Sequence, residues 1–355
     1  MKHLFSIPAV RTAVVAALLI FAGLFAVHCA ESRADANAGR VFDLEAHRGG
    51  RSARPENTLY SYAYAIEQGV TTIECDMQFT KDGKIVMSHE PILTPQIARD
   101  KNGQYVPPSK TYDLRRMTLA DIRTFDVGVM QTGTDYFRTY GATQKMHSAT
   151  IPTLEELFEL VKDSGDDEIQ MNIETKSYPD PASGDLYKYN ADPKAFVAAF
   201  DAIVRKYNMQ DRVILQSFDW RTLRLMKELD PAVRTSALWS EGSRARDKTT
   251  GAYVYLGGVN LDDYGGDPMQ AAHAIGANIF SPHYQKLTKE QVDAAHQLGM
   301  QVVPWTVNDR QGMARLYRMG VDGIISDKPE LLRSVLEDCG ATLRPSFSFS
   351  SPYRL

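Results

Sequence analysis

Cysteine is scarce. Cys29, Cys75 and Cys339 are all that 355 residues contain. So few thiols make no disulfide framework, and the fold has to rest on an ordinary apolar core. Long apolar runs are scarcer. The longest, Ala13–Val27, is fifteen residues, short of the roughly 20 that cross a bilayer as a helix. No stable membrane span is therefore expected in the mature chain. Charge of one sign is also lacking: the formal net charge is -4. That gives no electrostatic basis for binding nucleic acid or an anionic membrane, so an anionic substrate would have to be met by local cations. Neither GxGxxG nor a P-loop occurs, which removes the common nucleotide-phosphate cradles.

The apolar run has a different meaning. Lys2, His3 and Arg11 precede it, and Ala34-Asp35-Ala36 supplies a small-x-small site after it. This is the layout of a signal peptide. Residues 1–36 are expected to be removed by cleavage after Ala36, giving an exported protein, periplasmic or secreted, that begins near Asn37. Lipid anchoring at Cys29 is the lesser alternative, because His28 before it fits a lipoprotein signal poorly. Cys75 reads as a small buried residue.

From there strand and helix signals alternate. VFDLEAHRGG at 41–50 is an apolar-alternating strand, followed by the helical spacing of LYSYAYAIEQG at 59–69. Parallel-strand candidates are AHR, IECD, NIET, ILQS, SALW, NIFS, VVPW and GIIS. Strands separated by helices imply a parallel sheet with right-handed crossovers. Eight such units predict a closed α/β fold, the (β/α)8 TIM barrel, over residues 37–340. A doubly wound open sheet is the runner-up. Residues 92–150 read as an insertion after the second strand without a core of its own, and 341–355 as a loosely docked tail.

The chain is organised around Thr71–Pro91. TTIECDMQF and KIVMSH flank Asp82-Gly83, the strongest short-range hairpin signal. A two-residue loop there sets Asp76 directly opposite His89, and period 2 puts Glu74 on the same face. Catalytic groups in a barrel sit at the C-terminal strand ends. His47 and Arg48 end strand 1, Glu74 and Asp76 strand 2, Glu174 and Lys176 strand 3, Gln216 strand 4 and Trp305 strand 7. Carboxylates beside cations and imidazoles suit a divalent metal next to an anionic ligand. A buried ion-pair network is the bland alternative. His147, His283 and His296 have no partner at matching spacing and read as surface or loop residues, and His273, in an apparent helix, reads as structural.

The combination resembles one family, the glycerophosphodiester phosphodiesterases. It is carried by His47-Arg48-Gly49 with Pro55-Glu56-Asn57-Thr58, by Glu74-Cys75-Asp76, by the hairpin with His89 and by Ile173-Glu174-Thr175-Lys176. Gln216-Ser217-Phe218, Pro304-Trp305-Thr306 and Gly323-Ile324-Ile325-Ser326-Asp327 extend it. The resemblance implies a TIM barrel in which Glu74, Asp76 and Glu174 bind one divalent cation, Ca²⁺ or Mg²⁺. It implies His47 and His89 as the acid/base pair, and Arg48 and Lys176 on the phosphate. Glu56, Asn57 and Gln216 would support substrate binding, and Trp305 would wall the alcohol pocket. The implied reaction is hydrolysis of a small-molecule glycerophosphodiester to glycerol 3-phosphate and an alcohol, with water or the glycerol 2-hydroxyl as first nucleophile. Phospholipase D-like cleavage of intact or lyso-phospholipids is the alternative, which an apolar rim at the mouth would favour. A non-catalytic binding protein would require a missing ligand or histidine, and none is missing.

Overall fold

The computed structural model describes residues 39–183 and 186–354. The expected signal peptide and its cleavage point lie outside the described residues.

Eight parallel strands form a barrel wall in the order β8-β7-β6-β5-β4-β2-β1-β9. They are β1 (Asp43–Ala46), β2 (Thr72–Phe79), β4 (Gln170–Thr175), β5 (Val213–Ser217) and β6 (Arg234–Trp239), then β7 (Ile279–Pro282), β8 (Gln301–Val302) and β9 (Gly323–Ser326). The short β3 (Ile85–Met87) runs antiparallel to β2 outside this path. The first strand pairs with the last, with Leu44 against Ile324 and Ala46 against Ser326. The regular ladder of β8 stops before Pro304, which has no N–H to give. The seam is closed by the Ile325 N–H donating to the Pro304 carbonyl at 3.0 Å and the Val307 N–H donating to that of Ile325 at 3.0 Å.

Helices separate the strands, as the alternating pattern predicts. They are α1 (Leu59–Glu67), α2 (Leu119–Ile122), α3 (Asp135–Tyr140), α4 (Leu154–Ser164) and α5 (Pro193–Tyr207). After these come α6 (Trp220–Leu229), α7 (Pro268–Ala274), α8 (Lys289–Gln297), α9 (Arg310–Met319) and α10 (Pro329–Asp338). Their starts are chemically marked. Thr58, Thr153 and Thr288 form capping boxes, and Asp192 and Asp219 cap α5 and α6, each worth about 1 kcal/mol.

Strand alternation sorts the side chains. Ile73, Cys75, Met77, Met171, Ile173 and Leu215 point outward into the main apolar core under the helices. Glu74 and Asp76 point inward. The barrel interior is divided: Ile214, Ile279, Val303 and Ile325 make an apolar side, while Glu45, Asn172, Gln216 and Glu74 hydrogen-bond to one another on the other.

Three expectations are corrected. The hairpin is one residue out of the expected register: Met77 opposes Met87, and Phe79 opposes Ile85. Asp76 therefore faces Ser88, whose N–H donates to the Asp76 carbonyl at 2.9 Å. The cause is Thr80, whose N–H bonds the Lys84 carbonyl at 2.9 Å while its hydroxyl accepts the Lys84 N–H at 2.9 Å and donates to Asp82 at 2.7 Å. The loop is thus Lys81-Asp82-Gly83, with only Gly83 left-handed at φ 73, the three-residue hairpin loop that ends in a bulge. The insertion does have a small core, with Leu93, Val106, Leu114, Ile122 and Phe125 packed on Val86 of β3. The tail is tied down. Arg344 bonds the Val70 carbonyl at 3.0 Å and Asp166 at 2.5 Å, and the Phe347 N–H bonds the Glu67 carbonyl at 3.2 Å. Tyr353 then packs edge-on against Tyr60, centroids 5.4 Å apart.

Candidate active site

At the C-terminal mouth lies a cavity of about 220 Å³ lined by His47, Arg48, Glu74, His89, Glu174, Lys176, Gln216 and Trp305, with Arg51, Phe218 and Leu238 among the rest. Strand ends supply most of it, because β1, β2 and β4 are adjacent and end at the same level: Asp76 is in register with Glu174.

The chain turns sharply after β1. Arg48 has φ 51, a left-handed backbone unusual for a side chain of its size. Next comes Gly49 at φ 77, where a Cβ would lie 2.5 Å from the Ser61 hydroxyl. This strain is held in place. The Arg48 N–H donates to Glu74 Oε2 at 2.9 Å, and its guanidinium donates to Glu56 at 2.8 Å and lies 3.5 Å from Asp76.

Glu74, Asp76 and Glu174 are buried, and each offers one oxygen within 4.8 Å of the others. Burial and the charge of Asp76 push Glu74 well above the usual carboxylate range. Burial lifts Glu174 to about 7, Lys176 opposing and Asp76 adding to it. Burial would lift Asp76 too, but the His89, Lys176 and Arg48 side chains hold it below its usual value. Asp76 Oδ1 has no hydrogen-bond partner. Convergent buried oxygens, one of them unpartnered, are a donor set that fits a hard divalent cation.

Both imidazoles back onto carboxylates. His47 Nδ1 lies 2.5 Å from Asp327 Oδ1, with its Nε2 3.8 Å from Glu74. His89 Nδ1 lies 2.7 Å from Glu90. Burial, helped by Lys176 and Arg48, holds His89 down at about 4, and burial lowers His47 against the pull of Asp327. His89 reaches the cavity by a route other than the expected pairing: β3 ends at Met87 and the chain bends over residues 89–91.

Glu56 and Asn57 do not line the cavity; their side chains are engaged by neighbours. Asn57 donates to Asp76 Oδ2 at 2.9 Å. Glu56 accepts from Arg48 at 2.8 Å and from the Tyr136 hydroxyl at 2.6 Å; burial opposes this ionised state, but Arg48 and Arg51 hold its carboxyl at about 2. Gln216 lines the cavity with its amide turned to Glu74, 3.1 Å away. The Trp305 indole donates to the Ser281 carbonyl at 2.9 Å, and its ring stands perpendicular to Phe218.

Glu90, Asp327, Tyr136 and Tyr140 carried no role in the sequence reading. Asp327 is findable in principle, since it directly follows β9. The two tyrosines are not, because the insertion has no regular pattern that fixes where its helix lands.

A family model described as the glycerophosphoryl diester phosphodiesterase family matches residues 47–331. The chain belongs to that family. The chain is similar to a protein named glycerophosphodiester phosphodiesterase from Caldanaerobacter subterraneus, 29% identical over 295 residues, which covers 83% of this chain and 98% of that one. A glycerophosphoryl diester phosphodiesterase structure from Silicibacter pomeroyi, itself described as putative, aligns at 31% identity with a TM-score of 0.74, covering 86% of this chain and 97% of that chain. An Oleispira antarctica phosphodiesterase solved in complex with the product sn-glycerol-3-phosphate shares the fold, with TM-score 0.58 and 21% identity over 82% of this chain and 96% of that one. The eight-stranded wall with helices between its strands is the barrel of these phosphodiesterases, and the chain is an enzyme of their class.

Proposed function

We propose that this phosphodiesterase hydrolyses glycerophosphodiesters to glycerol 3-phosphate and an alcohol, with His47 and His89 as acid and base and with Glu74, Asp76 and Glu174 holding one Ca²⁺ or Mg²⁺. The observation that carries the reading is the single cavity on which both imidazoles, the Arg48 and Lys176 cations and two carboxylates of the acidic cluster converge. A bound cation would supply positive charge where the phosphoryl oxygens become more negative. Arg48 holds the phosphate, and Lys176 adds fixed charge on the same oxygens. One imidazole takes the proton of the attacking hydroxyl at Nε2, and the other returns a proton to the leaving alkoxide. Trp305 and Phe218, perpendicular to one another, give the cavity an aromatic wall. The Oleispira neighbour holds sn-glycerol-3-phosphate, the product assigned here.

A water-soluble diester is favoured over an intact lipid. Among the described residues, the large apolar side chains standing exposed are Val41, Met146 and Leu229, and none lines the cavity. Offered glycerophosphodiesters, lysolipids and intact phospholipids with Ca²⁺ or Mg²⁺, the protein releases glycerol 3-phosphate and free alcohol from the first group. Release of alcohol from intact or lyso-phospholipid alone would replace this reading with the phospholipase D-like one. Appearance of a cyclic phosphate before glycerol 3-phosphate identifies the 2-hydroxyl as first nucleophile.

We further propose export, on the grounds of the charged start, the fifteen-residue apolar run and Ala34-Asp35-Ala36. N-terminal sequencing of the protein from its native host reads from near Asn37. Retention of Met1 or Lys2 would overturn it, and a lipid-modified Cys29 would replace cleavage at Ala36 with anchoring.

A further inference from the structure

The insertion reaches the groups behind the cavity. Tyr136 and Tyr140 stand four residues apart on α3, hence on one face, with ring centroids 4.9 Å apart. Each hydroxyl donates to a carboxylate that serves a different functional group with its other oxygen. Tyr136 donates to Glu56 Oε2 at 2.6 Å, and Glu56 Oε1 accepts from Arg48 at 2.8 Å. Tyr140 donates to Asp327 Oδ2 at 3.0 Å, and Asp327 Oδ1 lies 2.5 Å from His47 Nδ1. Arg51 ties the two relays together. Its guanidinium lies 5.0 Å over the Tyr140 ring, donates to Asp327 at 2.7 Å and sits 3.6 Å from Glu56. Two more bonds fasten the insertion to the loop after β1: Gln144 donates to the Arg51 carbonyl at 2.6 Å, and the Lys145 N–H to that of Ala53 at 2.9 Å.

We propose that Tyr136 and Tyr140 are positioning residues for the phosphodiesterase reaction, Tyr136 fixing the Arg48 cation through Glu56 and Tyr140 fixing the His47 imidazole through Asp327. The proposal rests on the reading of the cavity given above. The left-handed backbone of Arg48 strengthens it. A strained turn carries its side chain usefully only if that side chain is held at its far end as well, and Glu56 with Tyr136 behind it is the holder. The two relays end on groups with different tasks, so they separate kinetically. Arg48 meets the phosphate in substrate, product and transition state alike, whereas His47 matters only when a proton moves.

The test uses Tyr136→Phe and Tyr140→Phe, which keep the rings and their packing. Loss of one hydrogen bond to a charged group is expected to cost about tenfold. In Tyr136→Phe that loss falls on KM and on glycerol 3-phosphate affinity, measured by calorimetry, with kcat little changed. In Tyr140→Phe it falls on kcat, with glycerol 3-phosphate affinity kept. Adding Tyr136→Phe to Glu56→Gln gives no further loss, because the tyrosine acts through that carboxylate. Variants with wild-type kinetics and affinity would overturn the proposal. So would equal losses in kcat and KM accompanied by a lowered melting temperature, which mark a merely structural anchor. If the wild-type protein cleaves no glycerophosphodiester, the functional reading fails instead, and the calorimetric arm still decides whether Tyr136 orders an anion-binding Arg48.

Discussion

His47→Ala and His89→Ala enzymes each turn over ~10²–10⁴-fold more slowly than wild type, the usual contribution of a positioned acid or base, while folding normally and retaining bound metal. The expectation rests on how the rings are held. Each has Nδ1 committed to a carboxylate, Asp327 at 2.5 Å for His47 and Glu90 at 2.7 Å for His89. That fixes ring orientation and leaves Nε2 as the nitrogen facing the cavity. With the two rings proposed to act in one proton-transfer cycle, the double variant is expected to lose little beyond either single one. The sign of the pH effect follows from His89. Burial, with Lys176 and Arg48 beside it, holds the ring at about 4. The neutral, proton-accepting form therefore prevails at neutral pH and is lost as pH falls through about 4, so the acid limb attributable to this ring lies near there. Single-turnover rates with metal analysis decide the matter: a His89→Ala protein with a wild-type chemical step would remove His89 from the acid/base pair.

Excess chelator abolishes hydrolysis, and Glu74→Gln, Asp76→Asn and Glu174→Gln each weaken metal binding and reduce turnover to a small residue. The buried carboxylates repel one another in the metal-free protein. Burial and the charge of Asp76 raise Glu74, and burial sets Glu174 at about 7. Two consequences follow. A cation must displace the proton held on Glu174, so its apparent affinity rises as pH rises through about 7. Burial already disfavours the charged form of Glu74, so a neutral Gln there costs the metal-free protein little, and in chelator the melting temperature of Glu74→Gln does not fall although its activity does. Calorimetric metal titration across pH, alongside thermal melts in chelator, measures both. Full activity in chelator with no metal bound would end the metal assignment.

Much of this was legible from the chain alone, because barrels obey simple rules. Alternation on β2 put Glu74 and Asp76 on one face and Cys75 on the other, and the strand-end rule drew His47, Arg48, Glu174, Lys176, Gln216 and Trp305 to one mouth. The hairpin was misjudged because Asp82-Gly83 permits two loops, and the choice is made by the Thr80 hydroxyl, which caps Lys84. A one-residue slip normally turns side chains to the other face. Here β3 ends before that matters, and the bend that starts at His89 brings its ring back to the cavity. The supporting residues were harder to foresee. Asp327 stands 280 positions from His47, and Tyr136 stands 80 from Glu56. No local periodicity encodes contacts of that range in a segment as irregular as the insertion.

The pairing of β1 with β9 also dictates an order of assembly. The acidic cluster comes from β2 and β4, and its carboxylates are held by Lys176 and Gln216, all well before β9 in the chain. The carboxylate that orients His47 follows β9 at position 327, and β1 lacks that neighbour until β9 arrives. Contacts this distant in sequence form late. A chain emerging from its N-terminus therefore gathers its acidic cluster well before Asp327 can meet His47, and on the proposed roles hydrolytic competence appears only with the closing strand.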